Sequence, residues 1–172
     1  MQVLCKFHLP KAANRSGLTQ ALGGMKEFLL SLFLLATPAS DEAGMIPAND
    51  VAIGGVAIGN SPQQVRSKLG KPKTVEKSQD YLSLHYVYAN VRVSFDEDVV
   101  AGLFTDSKKG CTPKGLCPGD SLNKMRRLYG EPILADRETG RFYEYYGIDL
   151  YCWFQIHAHG NKVSSIKVAC QP

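Results

Sequence analysis

The chain lacks the local signatures that make many enzymes legible. It has no Gly-x-Ser-x-Gly, no phosphate-binding glycine loop and no His-Glu-x-x-His. An enzyme assembled from distant residues stays open, because triads need no sequence proximity. There is no basic excess in the body of the chain. Of 20 Lys+Arg, four (Lys6, Lys11, Arg15, Lys26) fall in the first 26 residues, and of 16 Asp+Glu only Glu27 precedes Ser40. That leaves 16 cations against 15 anions from Ser40 onward, which excludes a basic footprint for nucleic acid.

A long apolar run is missing too. Phe28 to Ala36 is apolar except for Ser31, which is too short to span a bilayer. With Lys26 before it and Thr37-Pro-Ala-Ser40 after it, the stretch reads as a secretory signal cleaved after Ala39. Met25 is a natural start, making residues 1–24 an upstream extension. No Cys follows the cleavage site, so a lipid anchor is not expected. Nor is stable membrane insertion after cleavage. The expected location is the periplasm or the exterior.

What is present fits export. Cys5 belongs to the leader, and Cys111, Cys117, Cys152 and Cys170 remain. An even count in a small exported domain implies two disulfides, with three connectivities possible. Cys111 and Cys117 flank a short Pro/Gly loop, while Cys152 and Cys170 lie on strand-like runs around His159-Gly-Asn161, so the pairs 111–117 and 152–170 are favoured. The spacings do not match a zinc site.

Two segments read alike: Gly59 to Gly70 and Gly119 to Gly130. In each, a serine (Ser61, Ser121) is placed to cap a short helix, a glycine stops it, and a proline (Pro72, Pro132) follows. Gln64 completes a capping box in the first. Three strand-like runs follow each helix: Tyr81 to Tyr88, Val91 to Phe95 and Val99 to Phe104, then Arg141 to Tyr146, Ile148 to Ile156 and Val163 to Cys170. Val51 to Ile58 offers a further strand at the front. The expected fold is α+β: two tandem helix–β-meander repeats, with helices packed on one face of an antiparallel sheet. The boundaries are 40–57 for an N-terminal segment, 58–110 for the first repeat and 111–172 for the second.

This pattern, Gly-x-Ser-x-x-x-Val/Met-Arg-x-x-Leu/Tyr-Gly-x-Pro followed by a meander, resembles the repeat of β-lactamase inhibitory protein. It also resembles the small lipoprotein of the outer-membrane β-barrel assembly machine. The resemblance spans 58–104 and 118–168, and its tandem arrangement implies the inhibitor-like architecture. The chain departs from the lipoprotein in lacking a lipid-bearing Cys and in carrying two copies.

Alternation places Val91, Val93 and Phe95 inward and Arg92 and Ser94 outward, with Cys152, Phe154 and Ile156 inward and Tyr151, Trp153, Gln155 and His157 outward. Exposed rings make good contact residues. The expected partner-binding set is therefore Tyr143, Tyr145, Tyr151 and Trp153, with Arg92 and His157 as polar contributors; fold packing explains such rings equally well. The expected role is a non-catalytic, possible inhibitor-type module whose partner is another envelope or extracellular protein. No cofactor and no metal are expected. Two alternatives remain: an envelope-assembly scaffold, and a metal protein or enzyme using His85, His157 and His159.

Overall fold

The computed structural model describes residues 43–79 and 81–171. The expected leader and the Met25 start lie outside the described residues.

Eleven strands and two helices follow in order. β1 (Met45–Ile46), a 3-10 turn (Ala48–Asp50), β2 (Ala52–Ile53) and β3 (Val56–Ala57) lead into α1 (Pro62–Leu69). Then come β4 (Thr74–Lys77), β5 (Leu84–Val87), β6 (Arg92–Asp96) and β7 (Val99–Thr105). After a loop, α2 (Leu122–Tyr129) precedes β8 (Ile133–Arg137), β9 (Gly140–Gly147), β10 (Cys152–His159) and β11 (Lys162–Cys170).

Both helices start where chemistry dictates. The Ser61 hydroxyl accepts from the Gln64 N–H while the Gln64 side chain accepts from the Ser61 N–H. The Ser121 hydroxyl accepts from the Lys124 N–H. Each satisfies donors that a helix start leaves open. Both helices stop at glycines. Gly70 has φ 77, ψ −157 and Gly130 has φ 76, ψ −164, a region essentially closed to residues with a side chain.

Nine strands form one sheet in the order β1-β9-β10-β11-β7-β6-β5-β4, with β8 also pairing to β9. This corrects the expected pair of tandem helix–meander repeats. The chain builds a single, predominantly β structure around one mixed sheet, in which β1 pairs parallel to β9. The two halves are fused by β7–β11 pairing, in which Thr105, Phe104 and Leu103 face Ile166, Lys167 and Val168. Two strands, β4 and β8, lie outside the runs that the sequence marks as strand. Both are edge strands, largely exposed and charged, so they lack a buried alternation. The front segment gives a small hairpin, β2–β3, that stays out of the large sheet.

The core lies on the inner face. Val93, Phe95, Leu103, Phe154, Ile156, Ile166 and Val168 are buried there. α1 contributes Val65, and its Arg66 donates to the Tyr86 hydroxyl and lies 5.5 Å from that ring's centroid. α2 contributes Leu122, Met125 and Tyr129. Tyr129 packs on Tyr145 and Phe154 at centroid distances of 5.5 and 5.8 Å. Its phenol, pushed up to about 12 by burial, stays neutral and donates to Thr112 Oγ1 at 2.7 Å. The disulfides are Cys111–Cys117 and Cys152–Cys170, with Cα separations of 4.3 and 4.0 Å. The second joins directly opposed residues of β10 and β11.

Candidate functional site

The outer face of the sheet carries the candidate site. Register assigns its rows, because residues paired across neighbouring strands share a face. One row runs Val87, Arg92, Phe104, Lys167, Gln155, Glu144 across β5, β6, β7, β11, β10 and β9. The next runs His85, Ser94, Gly102 over β5 to β7 and continues as Ala169, Trp153, Tyr146 over β11 to β9.

At its centre the second row has small residues where the first has large ones. Ser94, Gly102 and Ala169 leave a depression in the sheet surface. A groove of about 1010 Å³ lies there, lined also by Leu82, Arg92, Phe104, Lys167 and Asp96. Leu82 lies over Gly102, where a Cβ would come within 3.1 Å of Leu82 Cδ1 and 3.4 Å of Ser94 Cβ, so a larger side chain there displaces Leu82 into the groove. The far wall is the bend at Tyr81 and Leu82, expected as strand. Tyr81 is tied down by its hydroxyl, which donates to Asp96 Oδ2 at 2.9 Å. That bond, with the negative charge of Asp96, pushes the Tyr81 phenol up.

Polar contacts order the floor. His85 Nδ1 is hydrogen-bonded with Ser94 Oγ at 2.8 Å. Arg92 pairs with Glu76 on β4 at 3.1 Å, both about half exposed. Lys167, exposed on the rim, makes no ion pair or hydrogen bond among the described residues.

Beyond the groove, the same face bears a buried carboxylate. Glu144 accepts from Arg137 Nε at 3.0 Å and Nη2 at 2.7 Å, from the Tyr146 hydroxyl at 2.6 Å and from Gln155 at 3.2 Å. Burial works to raise its pKa, but these donors and the Arg137 charge outweigh it and hold the group below its ordinary value. The network fixes Tyr146, which stacks on Trp153 at 5.6 Å and 17° between planes.

The expected contact residues divide. Trp153 and His157 lie on the outer face, with His157 hydrogen-bonded to Ser164 Oγ at 2.8 Å and packed near Phe142. Arg92 lines the groove. Tyr151 is 82% exposed, just before β10. Tyr145 is corrected to a core residue: it is fully buried opposite Phe154, and its hydroxyl donates to Gly130 O at 2.9 Å. Tyr143 sits opposite Ile156 on the same inner face and packs against the core. The ring that belongs outside is Tyr146, one residue on. His85 is separated from His157 and His159 by three strands, and no three His, Cys, Asp or Glu side chains group to hold a metal among the described residues.

Sequence reasoning missed Gly102, Phe104, Lys167 and Ala169. The signal that joins them, Phe104 beside Lys167 and small Gly102 near Ala169, exists only once β7 is known to pair with β11.

No protein-family model and no curated protein matches the chain. Solved structures share its fold. One is an extracellular protein containing an SCP domain from Bacillus anthracis, with a TM-score of 0.50, 14% identity, and 66% of this chain and 44% of that one covered. Another is a cysteine-rich secretory protein from Staphylococcus aureus, with a TM-score of 0.50, 13% identity, and 76% and 51% covered. The chain thus spans about half the length of these proteins, and the likeness is one of fold. It corrects the resemblance to β-lactamase inhibitory protein and to the assembly lipoprotein: the structures that share this fold are proteins of the SCP and cysteine-rich secretory kind.

Proposed function

We propose that the chain is an exported, non-catalytic binding module that holds a segment of another extracellular or envelope protein against the outer face of its sheet. The groove over β5, β6, β7 and β11 carries this reading. Its volume lies at the upper end of small-molecule sites, which run to about 1,000 Å³, and it crosses four adjacent strands. Export is supported by two disulfides, by the signal-like leader sequence and by the likeness in fold to an extracellular and a secretory protein. Recognition rests on burying apolar surface at Phe104 and Trp153 inside a polar rim.

The test compares wild type with Gly102→Leu and Trp153→Ala, purified under oxidising conditions and matched for thermal unfolding. Each is used to capture partners from culture supernatant and envelope extract. A partner held by wild type and lost by Gly102→Leu, with hydrogen-exchange protection over 102–104 and 167–169, supports the reading. Equal capture by the groove-filled variant, or protection on α1 and α2 instead, overturns it.

A further inference from the structure

The groove's charges are segregated, and this specifies the chemistry of what it holds; the inference rests on the reading of the groove as a segment-binding site. One long wall is the row Arg92, Phe104, Lys167. The opposite wall carries Asp96, engaged by Tyr81. The floor between is Ser94, Gly102 and Ala169, with Leu82 and Ala101 adding apolar surface. Lys167 is the lining charge with no counter-ion among the described residues, and Arg92 is held only by a half-exposed pair with Glu76. Exposed pairs of this kind are weak and exchange readily.

Dimensions fix the length. The groove crosses four adjacent strands, hence three spacings of about 4.8 Å, or about 14 Å. An extended chain covers that with about four residues at about 3.3 Å each. Alternate side chains of such a segment point to opposite sides, so one apolar side chain settles on the floor while its neighbours rise toward the rim, where the exposed Lys167 lies.

We propose that the groove recognises a short extended acidic–apolar peptide segment, with a carboxylate against Lys167 and Arg92 and an apolar side chain over Ala169 and against Leu82. The carboxylate supplies Lys167 with a counter-ion and competes with Glu76 for Arg92. A basic segment meets two cations on the same wall and is rejected. Opposed charges of this sort set specificity and association rate more than raw affinity.

The probes are two capped peptides with the same Leu frame, one carrying Asp and Glu between the leucines and the other Lys at both places. Each is titrated into isotope-labelled full-length protein and followed by amide chemical shifts. The acidic peptide is expected to shift residues 92–94, 102–104 and 167–169 and to bind about tenfold more tightly than the basic one. Lys167→Glu should erase or invert that preference, Lys167→Arg should retain it, and Gly102→Leu should abolish binding of both. Equal binding of the two peptides, or a preference untouched by Lys167→Glu, overturns the acidic assignment while leaving a segment-binding groove. Failure of the acidic peptide to shift these residues overturns it also, and partner capture blocked by Gly102→Leu then decides separately whether the groove is a binding site at all.

Discussion

At the scale of the residue, Glu144 shows how the outer face is held in shape. A fully buried carboxylate is tolerated because Arg137, Tyr146 and Gln155 donate to it. Its pKa in the folded state lies below the ordinary value of about 4.3. The stabilisation it brings is therefore complete above that value and is lost as pH falls through the folded pKa. Removing the arginine reverses the sign. In Arg137→Ala the carboxylate stays buried with its counter-charge gone, so its pKa rises and protonation relieves the strain. Breaking a buried pair costs about 3–5 kcal/mol, and the half-exposed Arg137 brings this down to about 2 kcal/mol at neutral pH. Urea unfolding should show that deficit at pH 7 and a clearly smaller one near pH 3.5. A deficit equal at both pH values would mean that the arginine acts by packing alone.

The same residue scale shows what alternation can and cannot reveal. Within β6 and β10 the inward and outward residues follow the period of two. In β9 every position from Phe142 to Tyr146 is aromatic or charged, so the pattern has no apolar phase to read. Only the pairing of Tyr145 with Phe154 and Tyr146 with Trp153 decides which ring faces the core.

At the scale of the element, the helices were legible because their ends are chemical. Ser61, Gln64, Ser121, Gly70 and Gly130 each solve a local backbone problem that no distant contact alters. Gly130 has a second duty: its carbonyl accepts the Tyr145 hydroxyl, while its own N–H donates to Arg126 O at 2.8 Å. Gly130→Ala must hold a side chain at φ 76, which costs about 1–3 kcal/mol even though a Cβ meets nothing within 4 Å there. Ser121→Ala, which removes one cap bond, should cost about 1 kcal/mol. Denaturant midpoints of the two variants, with unchanged slope, would give the ordering. If the alanine at 130 proved the milder change, backbone conformation would not be what ends α2. The edge strands β4 and β8 lacked such local marks. Ile133 and Leu134 are exposed side by side, and Val75 projects from an otherwise polar strand. Their identity comes from a neighbour's free edge, which no single segment records.

At the scale of the molecule, the decisive feature is the β7–β11 seam. It joins residues about sixty positions apart, places Lys167 beside Phe104 and lines up the small residues that make the groove. One strand of the seam, β11, is tied on its other side to β10 by Cys152–Cys170, with the Gln171 N–H donating to Tyr151 O at 2.9 Å just beyond. The bridge closes a loop of separation 18, against 6 for Cys111–Cys117. In the chain-entropy view the larger loop stabilises by about 3 kcal/mol and the smaller by about 2 kcal/mol. The bridges also differ in what they guard. Cys170 lines the groove, so freeing it loosens β11 at Ala169, whereas Cys111–Cys117 staples a loop before α2. A paired Cys152→Ser and Cys170→Ser variant should lose more stability than the paired change at 111 and 117. It alone should also weaken binding of the acidic peptide under conditions where both variants remain folded. Urea titration beside peptide titration separates the effects, and equal binding by both variants would show that the groove keeps its form without the cross-strand bridge.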